Sequence, residues 1–305
     1  MPTRWAIVCP EGCGCDTGDY YVKCHQTSFT TVPLISVKEA RKLRLDQNNL
    51  TLLERDSFVP LTELEILQLH KCGLTAIELG TFNGLTKLKE LSIWNNELSG
   101  IIPGTFESMS SLVLLDLGSN RLEHLDIDVF SGLVKLIYIY LEENKLQYLH
   151  PDTFLGLPNL RNVTLFTNPG LHIPTDRIFI ISFSLSHLDI SNCNISSLSV
   201  ETFAKVSALE WLGLSYNILT TVDANILKAL PKLSALYLEG NPLQCDCQLQ
   251  EVWRWCQDRN ILTVQRKMPI CETPREVKGK SWGVLEKVEC LEGDTYNYGD
   301  YKKTS

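Results

Sequence analysis

The apolar residues of this chain recur in a single frame along most of its length. Positions 1, 4, 6 and 11 of the frame are apolar and position 9 is Asn or Cys, as in Leu88, Leu91, Ile93, Asn96 and Leu98. The frame occurs nine times, beginning at Ala40, Leu64, Leu88, Leu112, Leu136, Leu160, Leu185, Leu209 and Leu233. Successive frames are 24 residues apart, except for a step of 25 between Leu160 and Leu185. A fixed period of this length predicts stacked structural repeats instead of separate globular domains.

The first half of each repeat predicts a short strand. Side chains at positions 4 and 6 point inward, while those at positions 3, 5 and 7 point to solvent. We expect these strands to pack side by side and curl the stack, so that positions 3, 5, 7 and 8 line a concave face. Asn at position 9 suits a tight turn, because its amide can bond backbone groups that no helix or sheet satisfies.

The second half of each repeat places an apolar residue near position 14 and a Phe near position 19. The Phe residues are Phe58, Phe82, Phe106, Phe130, Phe154 and Phe203. Leu227 takes this place in the eighth repeat, and Ile178 or Phe179 in the sixth. Large apolar residues at regular spacing are typical of core, so we predict a buried spine under the convex side and not a ligand slot. The sixth repeat has the extra residue and two prolines, which predict a local bulge.

Nine of the eleven cysteines cluster at the two ends of the chain, with only Cys72 and Cys193 between them. Such clusters suit disulfide-bonded ends in an oxidising compartment. Cys13 and Cys15 are two residues apart, as are Cys245 and Cys247, and a bond within either pair would be strained. Two disulfide pairings therefore remain possible at each end of the chain. A zinc site at these pairs is the alternative, but the second ligand pair with metal-site spacing is missing.

Three cysteines are expected to be free thiols. Cys72 and Cys193 occupy position 9 of repeats two and seven, about 24 Å apart at a strand spacing of about 4.8 Å, too far for a disulfide. Val252 and Trp253 lie 3 and 4 residues after Leu249, and Cys256 lies 3 residues after Trp253, which predicts one buried helical face that includes Cys256.

The repeat and the cysteine clusters resemble leucine-rich repeats with the cysteine-rich flanks of extracellular members of that family. The resemblance covers residues 9 to 290 and includes NPLQCDCQLQEVWRW, which is similar to the start of a C-terminal flank. It implies an α/β solenoid or horseshoe with a parallel sheet on the concave face. It also implies four disulfides, which are Cys9–Cys15, Cys13–Cys24, Cys245–Cys271 and Cys247–Cys290. We therefore divide the chain into an N-terminal cap (9–39), nine repeats (40–244), a C-terminal cap (245–290) and an acidic Tyr-rich tail (291–305).

Charge and length limit the classes of function that the chain can have. With 44% hydrophobic residues the 305-residue chain can bury a large core, and its net charge of −8 argues against nucleic acid as partner. No apolar run approaches the roughly 20 residues of a membrane helix, so membrane attachment would need a segment absent from this chain. Residues 1–8 are too few for a secretory signal before Cys9, and we interpret them as a leader remnant or an added start.

The candidate ligand-binding residues lie at the free positions of the concave face. They are His70, Trp94, Tyr138, Tyr140, Glu142, Phe166, His187, Asp189, Trp211, Tyr216 and Tyr237. We expect rows, with Tyr138, Asn162, His187 and Trp211 in one; Tyr140, Thr164, Asp189, Gly213 and Tyr237 in the next; and Trp94, Gly118, Glu142 and Phe166 in a third. Aromatics interspersed with acids are typical of protein-recognition surfaces. Scattered surface aromatics, a loop of the C-terminal cap or the convex side are the alternatives.

No catalytic, metal or cofactor motif accompanies the repeat. GxSxG, HExxH and glycine-rich phosphate or dinucleotide loops are absent from the sequence. Nothing adjacent makes His70 or His187 a general base, and we interpret both as surface histidines. An enzyme therefore ranks behind any binding role, and we expect neither cofactor nor metal.

Modification sites complicate the candidate face. Three glycosylation sequons occur, at Asn49, Asn162 and Asn194, and a glycan on Asn162 would shield the middle of the concave face. In the tail, Tyr296, Tyr298 and Tyr301 lie near acids and are candidates for sulfation, although a flexible linker is the simpler interpretation.

Two functions fit the resemblance. The first is an immune recognition module, similar to variable lymphocyte receptors or Toll-like receptor ectodomains, that binds antigen or a pathogen product. The chain departs from variable lymphocyte receptors because its repeats lack their LPxGVF phrase. The second is a cell-adhesion or guidance protein with a protein ligand. In either case we expect an extracellular monomer or weak dimer that binds a protein or a microbial surface.

Overall fold

In the computed structural model, which describes residues 9–16, 18–35, 39–261 and 268–290, the chain forms a solenoid. Its strands are β1 (Gly14–Asp16), β2 (Tyr21–Lys23), β3 (Lys42–Arg44), β4 (Leu52–Leu53), β5 (Ile66–Gln68), β6 (Ala76–Ile77), β7 (Glu90–Ser92), β8 (Leu114–Asp116), β9 (Tyr138–Tyr140), β10 (Asn162–Thr164), β11 (His187–Asp189), β12 (Trp211–Gly213), β13 (Ala235–Tyr237), β14 (Leu243–Gln244) and β15 (Cys271–Thr273). The N-terminal residues 1–8 and the tail, with the sulfation candidates Tyr296, Tyr298 and Tyr301, lie outside the described residues.

One large sheet forms the concave face. Its strand order is β1-β2-β3-β5-β7-β8-β9-β10-β11-β12-β13, and every pair except β1–β2 is parallel. Position 4 of each repeat points inward and is at most 1% exposed, at Leu43, Leu67, Leu91, Leu115, Ile139, Val163, Leu188, Leu212 and Leu236. The predicted parallel-sheet solenoid is thereby confirmed. Its core is continuous because each repeat buries its inward leucines against both neighbours.

In the seven repeats with Asn at position 9, this residue joins the repeat to the preceding turn of the chain. Asn96 donates to the carbonyls of Leu69 and Ile93, both at 2.8 Å. Its Oδ1 accepts from the backbone amides of Cys72 at 2.8 Å and Leu74 at 3.1 Å. Related bonds recur at Asn48, Asn120, Asn144, Asn168, Asn217 and Asn241. The predicted role of this position is confirmed: the amide satisfies turn backbone that the core would otherwise bury unpaired.

The convex side is built on the Phe spine. Rings of successive repeats stack from Phe58 to Phe154 with centroids 5.9, 6.2, 6.5 and 5.8 Å apart. Phe179 fills the place in the sixth repeat and Leu227 in the eighth, both buried. Regular helix is short on this side, where α1 (Ala224–Lys228) and a 3-10 helix (Pro151–Phe154) occur.

The sixth repeat absorbs its extra residue without disturbing the sheet. Asn162 of β10 still pairs with His187 of β11. Residues 171–183, all described, contain neither helix nor strand, so the additional length lies in the loop between these strands. The concave rows therefore continue through this repeat in register.

Disulfide-bonded caps close both ends. The N-terminal cap has Cys9–Cys15 and Cys13–Cys24, and the C-terminal cap has Cys245–Cys271 and Cys247–Cys290, which are the pairs that the resemblance implies. At the N-terminus, β2 pairs with β3, so the cap extends the concave sheet, which we did not foresee. At the C-terminus, β14 pairs with β15, and α2 (Cys247–Asp258) packs against a 3-10 helix (Trp282–Lys287).

One detail of α2 corrects the sequence analysis. Leu249, Val252 and Cys256 are fully buried as predicted, but Trp253 is only partly buried and Gln250 is buried instead. Gln250 Nε2 donates to two carbonyls, those of Leu285 at 2.7 Å and Val288 at 2.6 Å. These bonds explain why a polar side chain faces the cap interior, where apolar spacing predicted the indole.

The described helices do not include one that is long and apolar enough to span a bilayer.

Candidate functional site

The strand register assembles the concave rows that the repeat predicts. Asn162 pairs with Tyr138 on one side and His187 on the other, and His187 pairs with Trp211. In the next row Thr164 pairs with Tyr140 and Asp189, and Gly213 pairs with Tyr237. Candidates from different repeats are therefore direct neighbours across the sheet.

The C-terminal part of the face holds a stack of three rings. The ring centroids of His187 and Trp211 are 6.4 Å apart and near parallel, and those of Trp211 and Tyr237 are 4.9 Å apart. Gly213 makes room for the indole: a Cβ at this position would lie 2.7 Å from Trp211 Cη2 and 2.5 Å from Asp189 Oδ1. The indole therefore lies across two rows, beside a carboxylate.

Tyr216 extends the same region beyond the strand. It is 58% exposed and adopts a φ of 56°. All residues at position 8 share this left-handed conformation, from Gln47 to Gly240. The repeat imposes it, and a bulky aromatic there carries a conformational cost that Asn or Gly avoids.

The middle of the face combines aromatics with a half-buried carboxylate. Thr164 Oγ1 donates to Glu142 Oε2 at 2.6 Å. A Cβ on Gly118 would lie 2.9 Å from Glu142 Oε1 and 3.1 Å from Trp94 Cδ1, so carboxylate and indole converge over this glycine. Tyr138 is 40% exposed, while Tyr140 and Phe166 are half-buried.

Burial and like charge shift two pKa values in this middle region. Burial raises the pKa of the Glu142 carboxyl above its ordinary 4.5, and Asp116 and Glu143 add to the shift against the opposing effect of the Thr164 bond. Burial also raises the pKa of Tyr140 above 10, and Glu142 contributes next. Negative charge is therefore disfavoured here unless a cation offsets it.

The N-terminal part of the face is a polar network that the sequence did not reveal. Arg44 pairs with Asp46, and Asp46 Oδ1 accepts from the His70 backbone amide at 2.9 Å. The His70 ring meets the Trp94 ring edge to face at 6.2 Å. Lys71 Nζ lies 5.3 Å from the centroid of the Trp94 ring. In this part of the face, the Asp46 carboxylate therefore has a cationic partner within the face itself.

His70 has a hydroxyl neighbour on the next strand that the sequence did not reveal. His70 Nε2 lies 2.6 Å from Ser92 Oγ, which donates to Asp116 Oδ2 at 2.6 Å. Ser92 lies 22 residues further along the chain, so sequence adjacency could not reveal it. Because the single hydroxyl proton goes to Asp116, Nε2 must be the donor toward Ser92. A general base would need the reverse arrangement, in which the hydroxyl donates to the imidazole.

The three sequons differ in surroundings. Asn49 and Asn194 are exposed outside the strands. Asn162 is half-buried within β10, and its Oδ1 is buried without a hydrogen-bond partner among the described residues.

Eight cysteines form the four disulfides, and Cys72, Cys193 and Cys256 are buried free thiols, as predicted. Among the described residues there is no group of three or more His, Cys, Asp or Glu that could hold a metal ion. Burial raises the pKa of Cys72 to about 11 and those of Cys193 and Cys256 to about 12.

Two concave residues that the sequence analysis did not select prove decisive for the geometry. Gly118 and Gly213 each leave the space in which an indole meets a carboxylate. Glycine within a strand or at its end was an available signal, because it marks close approach of another group.

Comparison with known proteins places the chain in a family. The model for "Leucine rich repeat" matches residues 62–122, 110–169 and 183–243, more than half of the chain. A phospholipase A2 inhibitor from Gloydius brevicaudus siniticus is 33% identical over 103 residues, which cover 34% of this chain and 30% of that protein. Human Toll-like receptor 8 is 35% identical over 78 residues, 25% of this chain and 8% of that protein. The chain spans at most 30% of the first curated relatives that it matches.

Among solved structures, human trophoblast glycoprotein matches with a TM-score of 0.69 and 24% sequence identity. The match covers 94% of this chain and 100% of that one, and it shows a shared fold over nearly the whole length. With nine repeats in register, their Asn bonds and the family match, the chain belongs to the leucine-rich-repeat family.

Proposed function

We propose that this chain is a non-enzymatic extracellular recognition module that binds a protein or a microbial-surface ligand through the middle and C-terminal part of its concave face. The observation that carries the proposal is the ring stack of His187, Trp211 and Tyr237, which remains partly exposed on a face where the repeat dictates no residue type. Rigid aromatics give contact area at low entropic cost, and such residues dominate the energetics of protein interfaces.

Location and relatives support a binding role outside the cell. Four disulfides fit an oxidising compartment. The relatives include one named as an enzyme inhibitor and one named as a receptor. We infer that nucleic acid is not the partner, because a net charge of −8 opposes phosphate binding. A filter-binding assay with single-stranded RNA and duplex DNA tests this, and saturable binding at physiological salt would overturn it.

An alanine scan tests the site. We expect Tyr140→Ala, Phe166→Ala and Trp211→Ala each to weaken binding by about 2 kcal/mol or more, because buried aromatic anchors carry such energies. Tyr148→Ala, at an exposed tyrosine outside the concave rows, is the matched control and should leave affinity unchanged. Unchanged affinity in all three variants would move the site to the C-terminal cap or the convex side.

One version of this proposal is an immune recognition module with an architecture similar to variable lymphocyte receptors, and the other is an adhesion or guidance protein. The kind of ligand that the chain binds distinguishes the two. Binding of the secreted protein to whole microbes and wall components is compared with binding to an array of cell-surface proteins. We expect capture by microbial material, which the Tyr148→Ala variant retains and the Trp211→Ala variant loses. Capture by cell-surface proteins alone would favour the adhesion function.

Glycan occupancy decides how much of the face is available. Mass spectrometry of protein secreted from a eukaryotic host should find Asn49 and Asn194 occupied and Asn162 free, since Asn162 lies between Tyr138 and His187 in the sheet. A glycan on Asn162 would confine the ligand to the C-terminal repeats. The same spectra test sulfation of Tyr296, Tyr298 and Tyr301.

A further inference from the structure

Charge is distributed unevenly over the concave face. In the first two repeats its positions carry the cations Lys42, Arg44 and Lys71. From the fourth repeat onward the same positions carry no Lys or Arg, and His187 is their only basic side chain. The carboxylates there are Asp116, Glu142, Glu143, Asp189 and Glu239.

Outside the concave rows, three carboxylates pair with a cation from the adjacent repeat. Lys87 pairs with Glu63 and Lys89 with Glu65, both at 2.6 Å, and Arg121 approaches Glu97 at 3.2 Å. Within the described part of the chain, none of the five concave carboxylates belongs to an ion pair. The negative charge of these five carboxylates is therefore not offset by a cation in the described part of the chain.

Two of these carboxylates lie beside an indole, each at a concave glycine. Glu142 Oε1 and Trp94 Cδ1 converge over Gly118, at 2.9 and 3.1 Å from the position of a Cβ. Asp189 Oδ1 and Trp211 Cη2 converge over Gly213, at 2.5 and 2.7 Å from that position. In each case the glycine has no side chain, and this leaves space for a carboxylate oxygen to lie close to the indole.

A carboxylate beside an aromatic ring suits a guanidinium or ammonium group, which can pair with the oxygen while it contacts the ring. The chain itself places an ammonium near one of these rings, since Lys71 Nζ lies 5.3 Å from the Trp94 centroid. Single-sign potential over a face also steers an oppositely charged partner.

We propose that the concave face binds a basic, extended segment of a protein partner, with one Arg or Lys side chain beside Glu142 and Trp94 and another beside Asp189 and Trp211. The inference rests on the proposed binding role and narrows it to one ligand chemistry. Gly118 and Gly213 are four repeats apart, about 19 Å at the usual strand spacing of about 4.8 Å. An extended chain rises about 3.3 Å per residue, so the two basic side chains belong about six residues apart.

The test uses a random dodecapeptide library displayed on phage, panned against the intact protein at physiological salt. We expect selected peptides to be enriched in Lys and Arg, with pairs of basic residues about six positions apart. A selected peptide, labelled with fluorescein, is then titrated against the double variant Glu142→Gln with Asp189→Asn. Its affinity should fall at least about tenfold, as expected for loss of charge-assisted contacts.

The matched control is Glu123→Gln with Glu201→Gln, which changes the net charge equally at exposed positions outside the concave rows. It should change the affinity less than about twofold, because distant surface charges are screened. Equal losses in both double variants, selected peptides without basic enrichment, or a library that yields no binder would each overturn the proposal. If Trp211→Ala abolishes binding while the concave double variant does not, the face binds its ligand without charge, and only this inference fails.

Discussion

The ring of Tyr216 lies directly over Gly240, where a Cβ would fall 2.5 Å from Tyr216 Cδ1. Tyr216 is mostly exposed and holds a left-handed backbone, so the fold retains a bulky ring at a costly position. Such strain is characteristic of functional sites.

Tyr216→Asn should therefore stabilise the fold by about 0.5 kcal/mol, because Asn tolerates left-handed φ, and should weaken ligand binding. Denaturant midpoints and binding titrations measure the two effects. Tyr148→Asn is the control, since Tyr148 is an exposed tyrosine without positive φ, and it should give no gain in stability. A Tyr216 variant that loses stability would refute the strain argument.

Gly213→Ala should displace the Trp211 indole. The added methyl would overlap both the ring and Asp189, so we expect a loss of about 1–3 kcal/mol in stability and weaker binding. Intrinsic tryptophan fluorescence reports the changed environment of the ring. Gly156→Ala is the control, because a Cβ there meets nothing within 4 Å. An unshifted spectrum in Gly213→Ala would show that the sheet relaxes to accommodate the methyl.

Asn96→Ala should destabilise the protein by about 3 kcal/mol. The substitution leaves two carbonyls and two backbone amides in the turn without their partner, and unsatisfied buried groups cost about 1–3 kcal/mol each before relaxation. Chemical unfolding followed by circular dichroism measures the change. Glu97→Ala removes an exposed partner of Arg121 and should cost less than about 1 kcal/mol. Equal effects of the two substitutions would contradict the role of position 9.

Glu142→Gln should stabilise the protein at neutral pH. Because the folded-state pKa of Glu142 is raised, its contribution to stability is fully present below the unfolded pKa and is lost as pH rises through the folded value. The glutamine does not ionise, so the variant should melt above the parent at about pH 7 and together with it near pH 3. Glu123→Gln should leave the melting temperature unchanged at both pH values. A gain that persists at low pH would have to come from packing.

Alkylation of the unfolded, unreduced protein should modify three free thiols. Burial and the raised pKa values of Cys72, Cys193 and Cys256 keep all three from reacting in the folded protein. Mass spectrometry should find no iodoacetamide adduct on native protein, three after unfolding, and eleven after unfolding with reduction. Fewer than eight protected cysteines in the unfolded, unreduced protein would contradict the disulfide assignment.

The repeat made most of the fold predictable, because a 24-residue period fixes strand direction, the inward leucines and the rows of the concave face at once. The pairing of Asn162 with Tyr138 and His187 follows from counting alone. The cap strand β2 was missed because Tyr21–Lys23 lacks the repeat pattern.

Side-chain contacts across the face were less accessible to sequence analysis. The His70–Ser92–Asp116 chain joins three repeats, and each bond depends on rotamers that spacing does not specify. Gln250 in α2 was missed because its burial depends on carbonyls more than 30 residues away. Periodicity predicts which side chains share a face, while hydrogen bonds between them need coordinates.

Cysteine at position 9 in repeats two and seven has a consequence for how the solenoid opens. The thiol of Cys72 bonds the carbonyl of Leu45, and that of Cys193 bonds the carbonyl of Leu165, as the Asn amide does elsewhere. A thiol sulfur is only a weak hydrogen-bond acceptor, whereas Asn Oδ1 accepts hydrogen bonds from backbone amides of the preceding repeat. Five repeats, the second to the sixth, lie between these two positions and are joined by Asn96, Asn120, Asn144 and Asn168, so they form a block whose boundaries at Cys72 and Cys193 are two weaker seams. Local unfolding that separates neighbouring repeats should therefore begin at these two seams. The block between them, which carries the central concave residues, should stay folded.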